Sequence, residues 1–209
     1  MHLETKEHWN HAYSKSDTTK LGWYEAIPQA SLELIARCQI SQTESILDVG
    51  SGTTNLISEL IALGYTNLFA LDISPLALMK AKSLLHKDQA GMVKWIEADV
   101  TQTAEMDMLP EVSIWHDRAL FHFLTTDDQR NAYHILMQKK VKREGHVILA
   151  TFAPDGASKC SGLDVRRYSS EQQKKFMGHE FELVETSNIT SHTPSGALRP
   201  YVYSHFIKM

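Results

Sequence analysis

The sequence predicts an α/β fold, a doubly wound and mostly parallel sheet, and three observations predict it. Short apolar runs at 46–49, 68–71, 93–98, 112–115 and 146–152 alternate with stretches whose apolar residues recur at helical spacing. The first run stops at Gly50-Ser51-Gly52 and passes directly into a helical pattern. Glycine permits that tight turn and puts no Cβ between the backbone and a ligand. Three successive runs end in an acid, at Asp48, Asp72 and Asp99. The 209 residues suffice for one domain of this kind with a full core.

Residues 1–28 form a polar arm beaded with Trp9, Tyr13, Trp23 and Tyr24. Two readings compete: the aromatics anchor an N-terminal helix, or Trp23 and Tyr24 close over the glycine turn as a lid. After Pro28, residues 31–38 carry Leu32, Leu34 and Ile35, a short amphipathic helix. Leu56, Ile57, Leu60 and Ile61 mark a helix over 55–63 that Gly64 ends. Its start, near Thr53 or Thr54, points free N–H groups towards the turn. Asp72 stands 24 residues after Asp48, one strand–helix–strand unit, where an acid can accept both hydroxyls of a ribose. Ser74-Pro75 starts a helix that runs to about Leu85.

The fourth strand, 112–115, runs into His116-Asp117-Arg118 and then Phe121-His122-Phe123. Charges directly after an apolar strand point to a ligand face, against the reading of a local Asp117–Arg118 pair. His116, Asp117 and His122 are the candidate bases, although a histidine between two phenylalanines also reads as packed. Thr126 with Gln129 and Ser169 with Gln172 are capping boxes that open two further helices. Between them lie a strand over 146–152 and a loop over 153–167, long enough to be functional or mobile. Arg166 and Arg167 after that loop bind an anionic substrate or are surface charge. Strands at 181–186 and 201–207, joined by a turn-rich loop, read as a hairpin added to the parallel sheet.

Composition excludes several classes. Twenty-one basic residues against 25 acidic ones argue against a general nucleic-acid surface. Two cysteines make no disulfide framework, and neither they nor the 11 histidines stand at metal-ligand spacing. Without an apolar N-terminal run or a bilayer-length segment, a cytoplasmic protein is expected, with no membrane partner.

Asp48-x-Gly50-x-Gly52 followed by Asp72 and Asp99 resembles the cofactor motifs of class I S-adenosylmethionine-dependent methyltransferases, and His8-Trp9-Asn10 with Gly22-Trp23-Tyr24 resembles the opening of a bacterial branch. A dinucleotide fingerprint would need a third glycine where Asn55 stands. The resemblance implies a Rossmann-like sheet in the order 3-2-1-4-5-7-6, residues 1–209 as one methyltransferase domain with 1–28 as arm or lid, and S-adenosyl-L-methionine as cofactor. It implies that the Gly50-Ser51-Gly52 turn meets the methionine end, which Asp48 organises. Asp72 would hold the ribose, Asp99 and Val100 the adenine, with the ring between Ile73 and Val100. Trp23 would cover the site, and the segment from His116 would floor the methionine part. The acceptor stays open, a small molecule or a protein side chain. A nicotinamide oxidoreductase and a non-catalytic nucleoside-binding module are the rival functions. No Asn/Asp-Pro-Pro-Tyr segment follows strand four, which disfavours methylation of nucleic-acid bases.

Overall fold

The computed structural model describes residues 2–53, 55–102, 106–107 and 109–209. Thr54, one of the two expected helix starts, lies outside them. The five parallel strands are β1 (Ser45–Val49), β2 (Asn67–Asp72), β3 (Val93–Glu97), β4 (Val112–Arg118) and β5 (Val141–Phe152). Two short strands follow, β6 (Lys159–Cys160) and β7 (Leu163–Asp164), and then a long hairpin, β8 (Phe181–His192) and β9 (Leu198–Lys208). The main sheet runs β3-β2-β1-β4-β5-β9-β8, with β9 antiparallel to both neighbours. This is the expected Rossmann-like order, with the β6–β7 hairpin interpolated in the chain.

Alternation along the strands makes two cores. Leu47, Val49, Phe69, Leu71, Trp115, Val147 and Leu149 face one side, with Tyr133, Leu136 and Met137 of α6 (Asp127–Lys140). Ile46, Leu68, Ala70, Ile114, Ile148 and Ala150 face the other, with α2 (Gln29–Arg37) and α3 (Leu56–Ala62). Burial on both faces is why these strands read as continuous apolar runs. Ser74 caps α4 (Pro75–Ser83) by accepting from the Ala77 N–H, and Gly64 has φ +90° after α3. Between α4 and β3, α5 (Lys87–Met92) lacks a clear apolar period and is not legible in the sequence. Thr126 caps α6, and Ser169 caps α7 (Ser170–Met177), both with complete capping boxes.

Three boundaries move. β4 runs on to Arg118, because His116 lies beside Asp48 of β1 and finds its partner there. β5 starts at Val141, with a register shift before His146 and positive φ at Glu144. The hairpin strands reach His192 and Leu198, so Pro200 sits inside β9. The arm holds a 14-residue helix, α1 (His2–Lys15). Trp9 and Tyr13 stand four residues apart on one face of α1 and pack with Trp23, Tyr24 and α4 in a third cluster. No helix among the described residues is long and apolar enough to cross a membrane.

Candidate active site

Parallel strands carry their ligands beyond their carboxyl ends, at the crossover where the chain reverses direction across the sheet. Here that crossover lies between β1 and β4, and a cavity of about 360 Å³ opens beside it. Its wall includes Gly50 after β1, Asp72 and Ile73 after β2, and Asp99 and Val100 after β3. Trp9, Tyr13 and Trp23 roof it, with ring centroids 5.8 Å apart for Trp9–Trp23 and 5.9 Å for Tyr13–Trp23. Arg118, Leu120 and Phe123 from the end of β4, and Cys160, Leu163 and Asp164 from the β6–β7 hairpin, complete it. Ser161 and Gly162, both at positive φ, let that hairpin turn in two residues inside the long loop.

Asp72 is 6% exposed and organises the turn. Its Oδ2 accepts from the Gly52 N–H and its Oδ1 from the Ser74 N–H, each at 2.8 Å. Burial pushes its pKa up to about 6, against those backbone donors. A carboxylate offers about four acceptor positions, so hydroxyls of a ligand can still be received. Asp99 accepts from the N–H and hydroxyl of Thr101. Gly50 has φ +67°, and a Cβ there would meet the Leu120 side chain at 2.6 Å. At Gly52, φ +53°, a Cβ would lie 2.5 Å from the Tyr13 hydroxyl, so the roof rests directly on the turn.

We expect Gly52→Ala to lose about 1–2 kcal/mol from left-handed backbone strain alone and to displace Tyr13 as well. A denaturant melt with Tyr13→Phe as the partner substitution checks this. Removing the hydroxyl recovers the steric part and leaves the strain.

The three candidate bases are not brought to the cavity. His116 is buried, its Nδ1 2.7 Å from Asp48 Oδ1 and its Nε2 2.9 Å from the Ser31 hydroxyl. Asp48, His116 and Ser31 thus form a relay of the kind that activates a serine. All three are buried and none lines the cavity, so the relay joins β1, β4 and the start of α2. It positions the turn instead of meeting cofactor through His116. Asp117 accepts from the Leu120 and Phe121 N–H groups and from the Tyr133 hydroxyl, which takes the Trp115 indole N–H. Burial raises its pKa to about 6, but every contact is structural. His122 is sealed between Phe123 and Phe152, and burial, with Arg118 nearby, pushes its pKa down to about 3, too weak a base for neutral pH.

Arg118 makes no local pair with Asp117. Its Nη2 lies 2.8 Å from Glu25, its Nη1 donates to the Trp23 carbonyl at 3.1 Å, and its Nε donates to the Tyr203 hydroxyl at 2.9 Å. The guanidinium also stacks on Tyr201. It clamps the arm to the sheet, a role no local pattern announces. Trp23 lines the cavity, while Tyr24 packs beside it without reaching the wall. Arg167 donates to the Gly156 carbonyl and Arg166 lies over Tyr168; neither lines the cavity.

A nucleoside with a methionine arm fits this chemistry. The Ser51 hydroxyl and Asp48 Oδ2 are buried beside the glycine turn without hydrogen-bond partners, at about 1–3 kcal/mol per group, and both lie behind the cavity wall that Gly50 forms. Asp72 supplies acceptors for sugar hydroxyls, and Ile73 and Val100 give apolar surface on the wall between Asp72 and Asp99.

Residues 46–145 match the family model described as methyltransferase domain. This segment, just under half of the chain, is therefore similar to a methyltransferase domain. Human EEF1A lysine methyltransferase 2 is 26% identical over 100 residues, which cover 44% of this chain and 42% of that protein. The chain therefore spans less than half the length of that relative. A solved S-adenosylmethionine-dependent methyltransferase from Anabaena variabilis superposes with a TM-score of 0.76 at 12% identity, over 100% of this chain and 95% of that one. The N-methyltransferase NodS from Bradyrhizobium japonicum, solved with S-adenosylhomocysteine, gives 0.70 at 14% identity over 98% of each chain. At these identities the likeness is one of fold.

Proposed function

We propose that the protein transfers a methyl group from S-adenosylmethionine to an amine nitrogen that enters beside the β6–β7 hairpin. The observation that carries this reading is one cavity that gathers Gly50, Asp72 and Asp99 from three successive strand ends. S-adenosylmethionine, when bound, supplies a methyl group already activated on a positive sulfonium. The protein's part is then to align the acceptor and exclude water. Gly50, Ser51 and Gly52 hold the amino-acid end, Asp72 the ribose, Asp99 and Val100 the adenine between Val100 and Ile73, and Trp9, Tyr13 and Trp23 shut out solvent. Asp48 supports the turn from beneath.

An amine suits the wall better than an alcohol. An alcohol requires a base at the reacting atom, whereas an amine needs only to arrive neutral. On the hairpin the wall carries the Asp164 carboxylate, 78% exposed and already paired with Lys159 at 3.4 Å, so the preference for an amine rests on the candidate bases His116, Asp117 and His122 standing away from the wall. Both protein lysines and small amines satisfy this chemistry. Incubating the protein with labelled S-adenosylmethionine and a cell extract tests the reading. Label on nitrogen, in polypeptide or small molecule, supports it, and an extract left wholly unlabelled overturns it. Tight NADH binding without S-adenosylhomocysteine binding would favour an oxidoreductase.

Asp72 also sets a pH dependence. Its pKa rises from 3.8 to about 6 on folding, so the folded chain holds the extra proton between those values. That group's contribution to stability therefore falls as pH rises through this window. Ribose hydroxyls donate to the ionised form, so affinity for S-adenosylhomocysteine is expected to increase from pH 5 to pH 7.5. Calorimetric titration at both pH values checks it; affinity flat across that range would mean the carboxylate does not receive the ribose.

A further inference from the structure

We propose that Cys38, His146 and His205 bind one zinc-like divalent cation, at a site separate from the methyl-transfer cavity. Cys38 follows α2, His146 stands on β5 and His205 on β9. Strand alternation puts both histidines on the face that carries Ile148, Ala150, Tyr201 and Tyr203, against which the end of α2 packs. Their donor atoms converge: Cys38 Sγ lies 3.6 Å from His205 Nε2, which lies 2.9 Å from His146 Nδ1. All three donor atoms fall within 4.8 Å of one another.

The spacing is that of a coordination shell. Tetrahedral zinc with sulfur at about 2.3 Å and nitrogen at about 2.05 Å separates sulfur from nitrogen by about 3.6 Å and the nitrogens by about 3.3 Å. The Cys38–His205 distance already matches, the two imidazoles need to part by about 0.4 Å, and Cys38 Sγ and His146 Nδ1, within 4.8 Å of each other, must settle at the same sulfur–nitrogen spacing. Two imidazole nitrogens aimed at each other must share either a proton or a cation. Thiolate with imidazole selects zinc over magnesium or calcium. On the other face of His205, Nδ1 is buried without a hydrogen-bond partner, and the Glu185 carboxylate that Arg37 pairs with stands 3.7 Å from it, a small movement short of a hydrogen bond. A carboxylate behind a ligating histidine fixes the tautomer that turns its other nitrogen to the metal. Cys38 and His205 are buried, and His146 is only partly so, which leaves an entry path and room for a fourth ligand such as water.

The location gives the cation a role. α2 carries Ser31 in its first turn, bonded to His116 of the His116–Asp48 pair under the glycine turn, and Cys38 directly follows its far end. A metal there fixes the far end of the helix whose beginning braces the turn.

The test is cobalt titration of the full chain after chelator treatment. We expect one Co²⁺ per chain, with a thiolate-to-cobalt charge-transfer band and tetrahedral visible bands, displaced one-for-one by Zn²⁺. Cys38→Ser should remove the charge-transfer band. His205→Gln should lower affinity at least 100-fold, and Glu185→Gln about 10-fold, the lower end of the loss when an outer partner goes. The wild-type spectrum stands on its own should Cys38→Ser fail to fold. Cobalt binding without a charge-transfer band, or no binding at one equivalent, overturns the proposal and leaves a proton-bridged histidine pair beside a thiol.

Discussion

Asp72→Ala is expected to lose at least 100-fold in affinity for S-adenosylhomocysteine, about 3 kcal/mol at 1.4 kcal/mol per tenfold. Two losses combine. The acceptors for the ribose go, and so do those for the Gly52 and Ser74 N–H groups, which shape the turn. Each N–H left buried without a partner costs about 1–3 kcal/mol. A denaturant melt should therefore fall together with binding. Asp72→Asn separates the contributions. Its amide oxygen still receives one backbone donor, but its NH₂ faces the other, so much of the stability should return while affinity stays weak. An unchanged dissociation constant in Asp72→Ala would remove the ribose assignment.

Arg118→Met should destabilise the fold by about 3 kcal/mol, the scale of breaking a mostly buried ion pair on one side. The Arg118 side chain is 6% exposed and that of Glu25 is 20% exposed, so the stranded carboxylate can turn only partly to water. Methionine keeps the apolar stem against Tyr201 and removes the charge and all donors. The arm should then loosen, because Trp23 loses its tie to this guanidinium and Glu25 keeps only Ser191 on its carboxylate and Asn55 on its carbonyl. Trypsin should cut at Lys15 or Lys20 sooner than in the wild type, and S-adenosylhomocysteine should bind about 10-fold more weakly through loss of the roof. Arg118→Lys should not restore either property, since an ammonium cannot present the planar fork that reaches Glu25, Trp23 and Tyr203 together. Equal proteolysis rates would show that the aromatic cluster, and not the clamp, holds the arm.

What the sequence discloses about this site is what is encoded locally. Asp72 and Asp99 follow apolar runs, Gly50 and Gly52 interrupt one, and Ser74-Pro75 starts a helix; each pattern lies within a few neighbouring residues, and each is found at its place. His116 misleads for the same local reason. A histidine after an apolar strand reads as the strand's end, yet β4 continues because Asp48 on the next strand satisfies it. Arg118 reaches Trp23 across 95 positions, and Cys38 reaches His205 across 167. Contacts at such separations are set by sheet order, which no spacing rule delivers. The N-terminal helix is legible only through its aromatic anchors: Trp9 and Tyr13 mark its buried face among polar residues that show little periodicity, so its bounds are not.

The most direct measurement is a crystal structure of the full chain with S-adenosylhomocysteine. Both ribose hydroxyls are expected on the Asp72 carboxylate, the adenine between Ile73 and Val100 with its amino group towards Asp99, and the sulfur facing the β6–β7 hairpin. A nucleoside seated away from Asp72 and Asp99, or bound outside the cavity beneath Trp9, Tyr13 and Trp23, would contradict it.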